Sequence, residues 1–365
     1  MKIAVGISGG VDSAVAALLL KQQGHDVRGV YMHNWEDDDP DAVCTSLQDA
    51  KSAIATCEHL GIALETVNFS RAYWERVFDE FLAEHRAGRT PNPDVLCNKE
   101  IKFKAFLDHA LANGADCIAT GHYARLDQTP GATRLLKAVD RNKDQTYFLY
   151  AVAPAALSRT QFPIGHLTKP EVRALALGAG LANHDRSDST GICFIGERDY
   201  KKFVARYLPA QPGDIRATDG NHKGRHDGLM YYTLGQRHGL GLGGPGAAWY
   251  VVDKDMQSNT LYVAQGSEHD ALYRDCLIAD NVHWIRAPRS GAALAAKTRY
   301  RQTEQACEID VLPQGQLRVR FATVQRALTP GQAIVFYDSE ECLGGARILA
   351  VESTHEQSSP AVANC

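Results

Sequence analysis

The string Gly6-Ile7-Ser8-Gly9-Gly10-Val11-Asp12-Ser13 constrains this chain's fold more than any other segment. It joins a short apolar run, Lys2–Ile7, to a stretch rich in Ala, Val and Leu, Asp12–Gln23, so it reads as the turn from a buried strand into a helix. Consecutive glycines let backbone N–H groups turn inward, and the helix N-terminus adds partial positive charge, which together make a phosphate cradle. Ser8 and Ser13 bring hydroxyl donors, and Asp12 brings a carboxylate able to hold Mg²⁺ against phosphate oxygens. No Lys follows the glycines, so this is not a Walker A loop. A plain capped turn is the alternative, and a lone Gly-Gly would be read that way. The whole string at the first strand–helix junction favours the cradle.

Beyond it the periodicity alternates. A strand is expected at Asp26–Met32, a helix near Asp49–Leu60, a strand at Ile62–Phe69 and a helix at Arg71–Arg86. A helix at about Lys99–Asn113 and a strand at Asp116–Thr120 follow. This alternation predicts an α/β fold with a doubly wound parallel sheet over residues 1–206. The acidic run Glu36–Asp41 reads as a solvated loop. Past Tyr207 the chain turns rich in Gly, Pro, His and basic residues, including Gly239–Gly244, which predicts a small irregular domain over 207–268. From about Asp270 short alternating strands dominate. Leu317, Val319 and Phe321 oppose Arg318 and Arg320, and Ala333–Tyr337 and Ala346–Val351 repeat the habit. A C-terminal β-barrel over 269–365 is expected, with a polar tail from Thr354.

Composition narrows the class. A 44% hydrophobic share excludes a wholly disordered chain. No run approaches the ~20 apolar residues a bilayer needs, and Ser8-Gly9-Gly10 and Asp12 break any signal-peptide core. A cytoplasmic protein with no membrane partner is expected. The net charge of −4 does not favour nucleic acid, yet 17 Lys and Arg meet 12 Asp and Glu between Lys201 and Arg326. That asymmetry permits a polyanionic partner. Nine cysteines without a single Cys-x-x-Cys leave no foothold for zinc or an iron–sulfur cluster, so neither is expected.

Cysteine chemistry must then come from single thiols, and two stand out. Cys97 follows Asn92-Pro93-Asp94-Val95-Leu96 and precedes Asn98, which reads as the N-cap of the next helix, with Lys99 and Lys102 nearby. A thiol just ahead of a helix N-terminus and near ammonium groups favours thiolate. Cys193 lies in Gly191-Ile192-Cys193-Phe194-Ile195-Gly196, where flanking glycines suggest a loop able to expose and move a thiol. Cys57, Cys117, Cys276, Cys307 and Cys342 read as core packing, and Cys44 and Cys365 carry no assignment.

Ser8–Ser13 resembles the fingerprint of the PP-loop ATP pyrophosphatases, which cleave ATP between the α and β phosphates. With Asn92–Asn98, Thr120–Arg125, Lys143–Leu149, Gly191–Gly196 and Tyr232–Arg237, the chain resembles the bacterial tRNA-specific 2-thiouridylases over nearly its whole length. The resemblance implies conversion of the wobble uridine of the tRNAs for Lys, Glu and Gln to 2-thiouridine. ATP with Mg²⁺ would be bound by Gly6, Ile7, Ser8, Gly9, Gly10, Val11, Asp12 and Ser13, with Met32 and Gly121 beside the adenosine. Cys193 would carry the persulfide, Cys97 would be the nucleophile, and Asp94 would orient the uracil or act as general base. Asn92, Pro93, Asp94, His122, Lys143, Asp144, Gln145, Arg299, Tyr300 and Gln332 would contact tRNA. Sulfur would come from a cysteine desulfurase or a relay carrier. Physically, Arg141 and Lys143 suit phosphate contacts, and Tyr300 between Arg299 and Arg301 suits stacking with charge. Tyr232–Arg237 matches the family without an assignable chemistry. The rivals are another PP-loop ligase such as a lysidine synthetase, an iron–sulfur thiolase, and a non-catalytic RNA-binding barrel.

Overall fold

A computed structural model of the chain describes residues 1–36, 40–129, 132–187, 200–289 and 293–352, with the backbone alone for 40–46 and 200. The first segment opens with β1 (Lys2–Gly6), α1 (Val11–Gln22), β2 (Asp26–His33), α2 (Pro40–Leu60) and β3 (Leu64–Asn68). Helical runs α3 (70–86) and α4 (93–112) follow, each with an inner stretch wound i to i+5. Next come β4 (Cys117–Ala119), a hairpin of β5 (Ala124–Thr129) and β6 (Ala132–Lys137), and the single turns α5 (Thr146–Leu149) and α6 (Pro154–Leu157). Strand β7 (Thr160–Gln161), α7 (Lys169–Gly178) and α8 (Tyr200–Ala205) complete it.

Five of these strands form a parallel sheet in the order β3-β2-β1-β4-β7, the doubly wound sheet expected. Both faces are covered, so Ile3 to Gly6 are all buried. The small side chains of Ala14, Ala16 and Ala17 let α1 bury nearly its whole circumference. Strand order reverses between β1 and β4, so the ligand crevice of such a sheet opens past the carboxyl ends of these two strands. The residues there are Gly6–Gly10 and Thr120–Gly121. The acidic run is only partly a loop. Pro40 and Asp41 already belong to α2, proline being tolerated at a first helical position. Asp37–Asp39 lie outside the described residues.

The central segment is more regular than its composition predicts. Strands β8 (Gly213–Ala217), β9 (His222–His226), β10 (Trp249–Asp255) and β11 (Thr260–Gln265) pair in the order β10-β11-β8-β9 around Ile215, Leu240, Val251, Leu261 and Val263. Strand β9, His-Lys-Gly-Arg-His, is an edge strand without an apolar residue, so hydropathy could not reveal it. The Gly-rich run is the connection from β9 to β10.

The last segment is the expected barrel. Strands β12 (Tyr273–Trp284), β13 (Leu294–Lys297), β14 (Gln305–Val311), β15 (Leu317–Arg326), β16 (Ala333–Asp338) and β17 (Glu341–Glu352) run β12-β15-β14-β13-β16-β17, and β12 closes on β17. Leu317, Val319 and Phe321 point inward with Ile334, Phe336 and Ile348. No pattern of residues foretold that the β5–β6 hairpin of the first segment would pair with β17, through Leu136 and Glu341. Glu341 is 1% exposed, and Arg134 of the hairpin and Arg286 of the barrel both bind it, at 2.8 Å and 2.7 Å. Burial alone would raise its pKa; the two guanidiniums override that and lower it.

Candidate active site

The phosphate loop is braced from outside. Ser52 Oγ (2.7 Å), Asn183 Nδ2 (3.0 Å) and Arg186 Nη1 (3.2 Å) all donate to the carbonyl of Gly9. In a trans peptide the C=O and the next N–H point oppositely, and the Gly10 N–H on the far side of this grip donates to Ser8 Oγ at 3.4 Å. Gly9 has φ 82°, and a Cβ there would lie 2.5 Å from the Asp49 carbonyl oxygen, so only glycine fits. Ser8 and Ser13 join through their hydroxyls at 3.2 Å. No side chain caps the start of α1, which leaves its first N–H groups for an anion. Met32 adjoins Gly6, and Gly121 adjoins the Asp12–Ser13 backbone, so the two outlying residues of the expected ATP set lie beside the loop, while Ile7 and Val11 are buried in the core beneath it.

Asp12 is engaged. Lys169 Nζ lies 2.8 Å from both carboxylate oxygens, and the Tyr123 hydroxyl donates to Oδ1 at 2.9 Å. The carboxylate expected to take Mg²⁺ is thus turned to a lysine and a phenol. Among the described residues no three His, Cys, Asp or Glu side chains converge that could hold a metal ion. These side chains therefore do not form a resident magnesium site. Sequence reasoning missed Lys169, Tyr123, Asn183 and Arg186. Thr168 and Glu171 form a capping box that was legible and that starts α7 at Lys169. That this helix start faces the loop was not legible.

Cys97 requires a correction. The helix begins at Pro93 rather than after Asn98, so Cys97 is its fifth residue and not a thiol ahead of an N-terminus. Asn98 has helical φ/ψ of −61° and −50°, and its side chain donates to Phe148 O at 3.0 Å instead of capping. Proline at the first position supplies the helix start that was expected of Asn98. Asp94 sits in the first turn, where a carboxylate favours the helix dipole. Lys99 pairs with Glu100 at 3.6 Å. The Cys97 thiol is fully buried, in a cluster with Ile101, Phe203 and Val204. Burial raises the pKa of Cys57 to about 11 and of Cys307 to about 12, and also raises Cys117, Cys276 and Cys342, as inert core thiols behave.

Cys193 and all of Gly191–Gly196 lie outside the described residues. Their described flanks are informative. Arg186, shortly before, grips Gly9 of the phosphate loop, and Phe203 and Val204, shortly after, pack in the Cys97 cluster.

The residues assigned by resemblance to tRNA are distributed over the first segment and the barrel. Tyr123 and Gln145 exchange two hydrogen bonds of 2.8 Å, linking the Asp12 cluster to the turn that leads to Phe148 and Asn98. Asp144 is 4% exposed and accepts from Ala138 N (3.0 Å) and Thr146 Oγ1 (2.8 Å). His122 is buried against Phe103 and Phe162, bonded to Thr120 at 2.8 Å. Burial first and Lys102 second hold its pKa well below the usual value, so it is neutral. Arg141 is bound to Glu340, and Lys143 is half-buried. Tyr300 is half-buried with its ring 4.6 Å from Phe148 and Arg301 at 5.4 Å over it. Arg299 donates to Ala327 O (2.8 Å) and Leu234 O (3.3 Å), and Gln332 to Thr90 O (2.8 Å) and Pro91 O (3.3 Å). These two line a cleft of about 330 Å³ between barrel and central sheet, with Thr233, Leu234, Gly235, Gln236 and Thr329. Part of the unassigned Tyr232–Arg237 motif thereby gains a place, opposite the strap that leads to Asn92, Pro93 and Cys97.

Comparison with known proteins covers all three segments. Residues 1–197 match the family described as tRNA methyl transferase HUP domain, 201–265 the tRNA methyl transferase PRC-barrel domain, and 274–348 the aminomethyltransferase beta-barrel domain. The chain is 58% identical over 354 residues to the tRNA-specific 2-thiouridylase MnmA of Methylococcus capsulatus, covering 95% of each chain. It is 56% identical over 349 residues to MnmA 2 of Geobacillus kaustophilus, and 55% over 350 residues to MnmA of Bacillus subtilis. Each of these alignments covers 95% of this chain and 94% of the relative.

Proposed function

The chain belongs to the tRNA-specific 2-thiouridylase family, and from that premise we propose how its residues carry out ATP-dependent sulfur transfer to tRNA. The enzyme is a tRNA sulfurtransferase. Its target in this reading is the wobble uridine of the tRNAs for Lys, Glu and Gln. ATP lies along Gly6–Ser13 with its adenosine by Met32 and Gly121. The uracil 2-oxygen attacks the α-phosphorus and pyrophosphate leaves, which turns a poor leaving group into AMP.

Cys193 carries the sulfur as a persulfide delivered by a cysteine desulfurase or a relay carrier. Its terminal sulfur bonds to carbon 2. Cys97 thiolate then attacks the Cys193 sulfur, forming a Cys97–Cys193 disulfide. The electron pair released returns to the sulfur on carbon 2 and expels AMP. A cellular thiol reduces the disulfide afterwards. In a variant route Cys97 thiolate attacks the Cys193 sulfur of the persulfide first, forming the Cys97–Cys193 disulfide and expelling hydrosulfide, which then bonds to carbon 2 as AMP leaves. Asp94 orients the uracil, and His122, Lys143, Asp144, Gln145, Arg299, Tyr300 and Gln332 shape the tRNA site. Among the described residues no helix is long and apolar enough to cross a membrane; action on tRNA points to the cytoplasm.

The observation that carries this reading is that the phosphate loop and the Cys97 helix are opposite ends of one continuous wall, Asp12–Tyr123–Gln145–Phe148–Asn98. The test is nucleoside mass spectrometry on unmodified tRNA for Glu incubated with ATP, Mg²⁺ and a persulfide source. Wild type should form wobble 2-thiouridine, and Cys97→Ser and Cys193→Ser should form none. Thiolation that survives in either variant overturns the two-thiol chemistry. Pyrophosphate release with another acceptor and no thiolation would favour a different PP-loop ligase.

A further inference from the structure

The phosphate loop has no lysine of its own, yet one stands beside it. Lys169 Nζ is 2.8 Å from both oxygens of Asp12, and the Lys169 side chain is only 10% exposed. Its position is fixed by the fold. It opens α7, where the Thr168–Glu171 capping box sets the helix start and Asp140 accepts its backbone N–H at 2.9 Å. Asp12 lies in the first turn of α1, beside the N–H groups that an anion would use. An unpaired carboxylate there would repel a triphosphate, and in a partly buried crevice that repulsion is weakly screened.

We propose that Lys169 is the charge-compensating residue of the phosphate loop, neutralising Asp12 and holding its carboxylate against Tyr123 so that the nucleotide meets the α1 N-terminus unopposed. The inference rests on the functional reading above in one respect, that the loop takes ATP. It makes Lys169 a positioning residue acting through Asp12. A group that touches phosphate directly would behave differently when Asp12 is also changed.

The experiment is calorimetric titration of ATP with Mg²⁺ into the full-length protein without tRNA, for wild type, K169M, K169R and the double variant D12N/K169M. K169M should bind about tenfold more weakly or worse, and K169R within about threefold of wild type. The double variant should bind ATP more tightly than K169M, because the repelling carboxylate is gone. Thermal unfolding without nucleotide establishes that the double variant, which removes both members of the ion pair together, is folded. Wild-type affinity in K169M overturns the inference, and so does a double variant as weak as K169M, which would assign Lys169 a direct phosphate contact. Wild-type protein that binds no ATP overturns the functional reading together with this one.

Discussion

Replacing Gly121 with alanine isolates the claim that the end of β4 and the start of α1 jointly form the nucleotide crevice. A Cβ at residue 121 would stand 2.6 Å from the Asp12 carbonyl carbon, 2.6 Å from the Ser13 nitrogen and 2.9 Å from the Asp12 carbonyl oxygen. Packed heavy atoms keep ~3.5–4.0 Å, so the two elements must separate by about 1 Å. All three neighbours are backbone atoms, and no rotamer change relieves the contact. Gly121 is not in the left-handed region, so crowding alone is tested. Overpacking of this kind costs ~1–3 kcal/mol, and an unyielding neighbour puts it in the upper half. The same 1 Å shift carries Gly9–Ser13 away from Gly121, and misplacement on that scale costs up to ~10²-fold in rate. Urea unfolding and ATP titration of G121A, beside G178A, give the readout. Gly178 is exposed near the end of α7 with nothing within 4 Å of where a methyl group would stand, so alanine there should stabilise by ~0.5–1 kcal/mol. A G121A protein with wild-type midpoint and wild-type ATP affinity would refute the shared-wall argument.

Three further outcomes are expected. R347M removes the arginine that binds Glu84 and Asp280, both at 2.7 Å, and leaves Glu84, whose side chain is 6% exposed, with Arg89 alone; urea unfolding should show a loss of about 3 kcal/mol. A loss under about 1 kcal/mol would show that the barrel does not hold α3 through this arginine. Q332A releases Thr90 and Pro91, so thiolation turnover should fall at least about tenfold while ATP affinity stays within about twofold; equal losses in both would mean that Gln332 acts on the phosphate loop. Burial, with Lys254 second, lowers the His85 pKa from 6.5 to about 4. Between those values the unfolded chain binds the extra proton, so stability falls as pH drops, by about 2 kcal/mol at pH 5 from this group. H85Q should flatten the urea-midpoint slope between pH 7 and 5, and an unchanged slope would assign the acid sensitivity to other groups such as His122.

The doubly wound sheet and the barrel were legible because their residues obey one period each. Ile3–Val5 is apolar throughout, as a strand covered on both faces must be, and Leu317–Phe321 alternates, as a strand with one wet face must. The central sheet was hidden because β9 satisfies its pairing through backbone alone and carries polar side chains. At the site, the loop string was legible as the turn from β1 into α1, since glycine spacing and helix start are local. What completes it is not local. Lys169, Asn183 and Arg186 reach Asp12 and Gly9 across the topology, and no spacing rule connects them. The start of α4 was misread because Pro93 and Asn98 both carry start signals, and the choice between them was made by tertiary contact, Asn98 being drawn to Phe148.

The two downstream segments both hold the strap between α3 and α4. Gly88 O accepts from Lys254 of the central sheet at 3.0 Å, and Thr90 N donates to Pro330 O of the barrel at 3.0 Å. Gln332 holds the carbonyls of Thr90 and Pro91, and a Cβ at Gly331 would meet Thr90 N at 2.8 Å. Arg89 and Arg347 share Glu84 at the end of α3. A connection of so few residues, fixed at both sides by separate domains, has little freedom left in φ and ψ, and Pro91 and Pro93 remove more. The direction in which α4 sets out, and hence the depth at which Cys97 is held, is therefore a property of all three segments together.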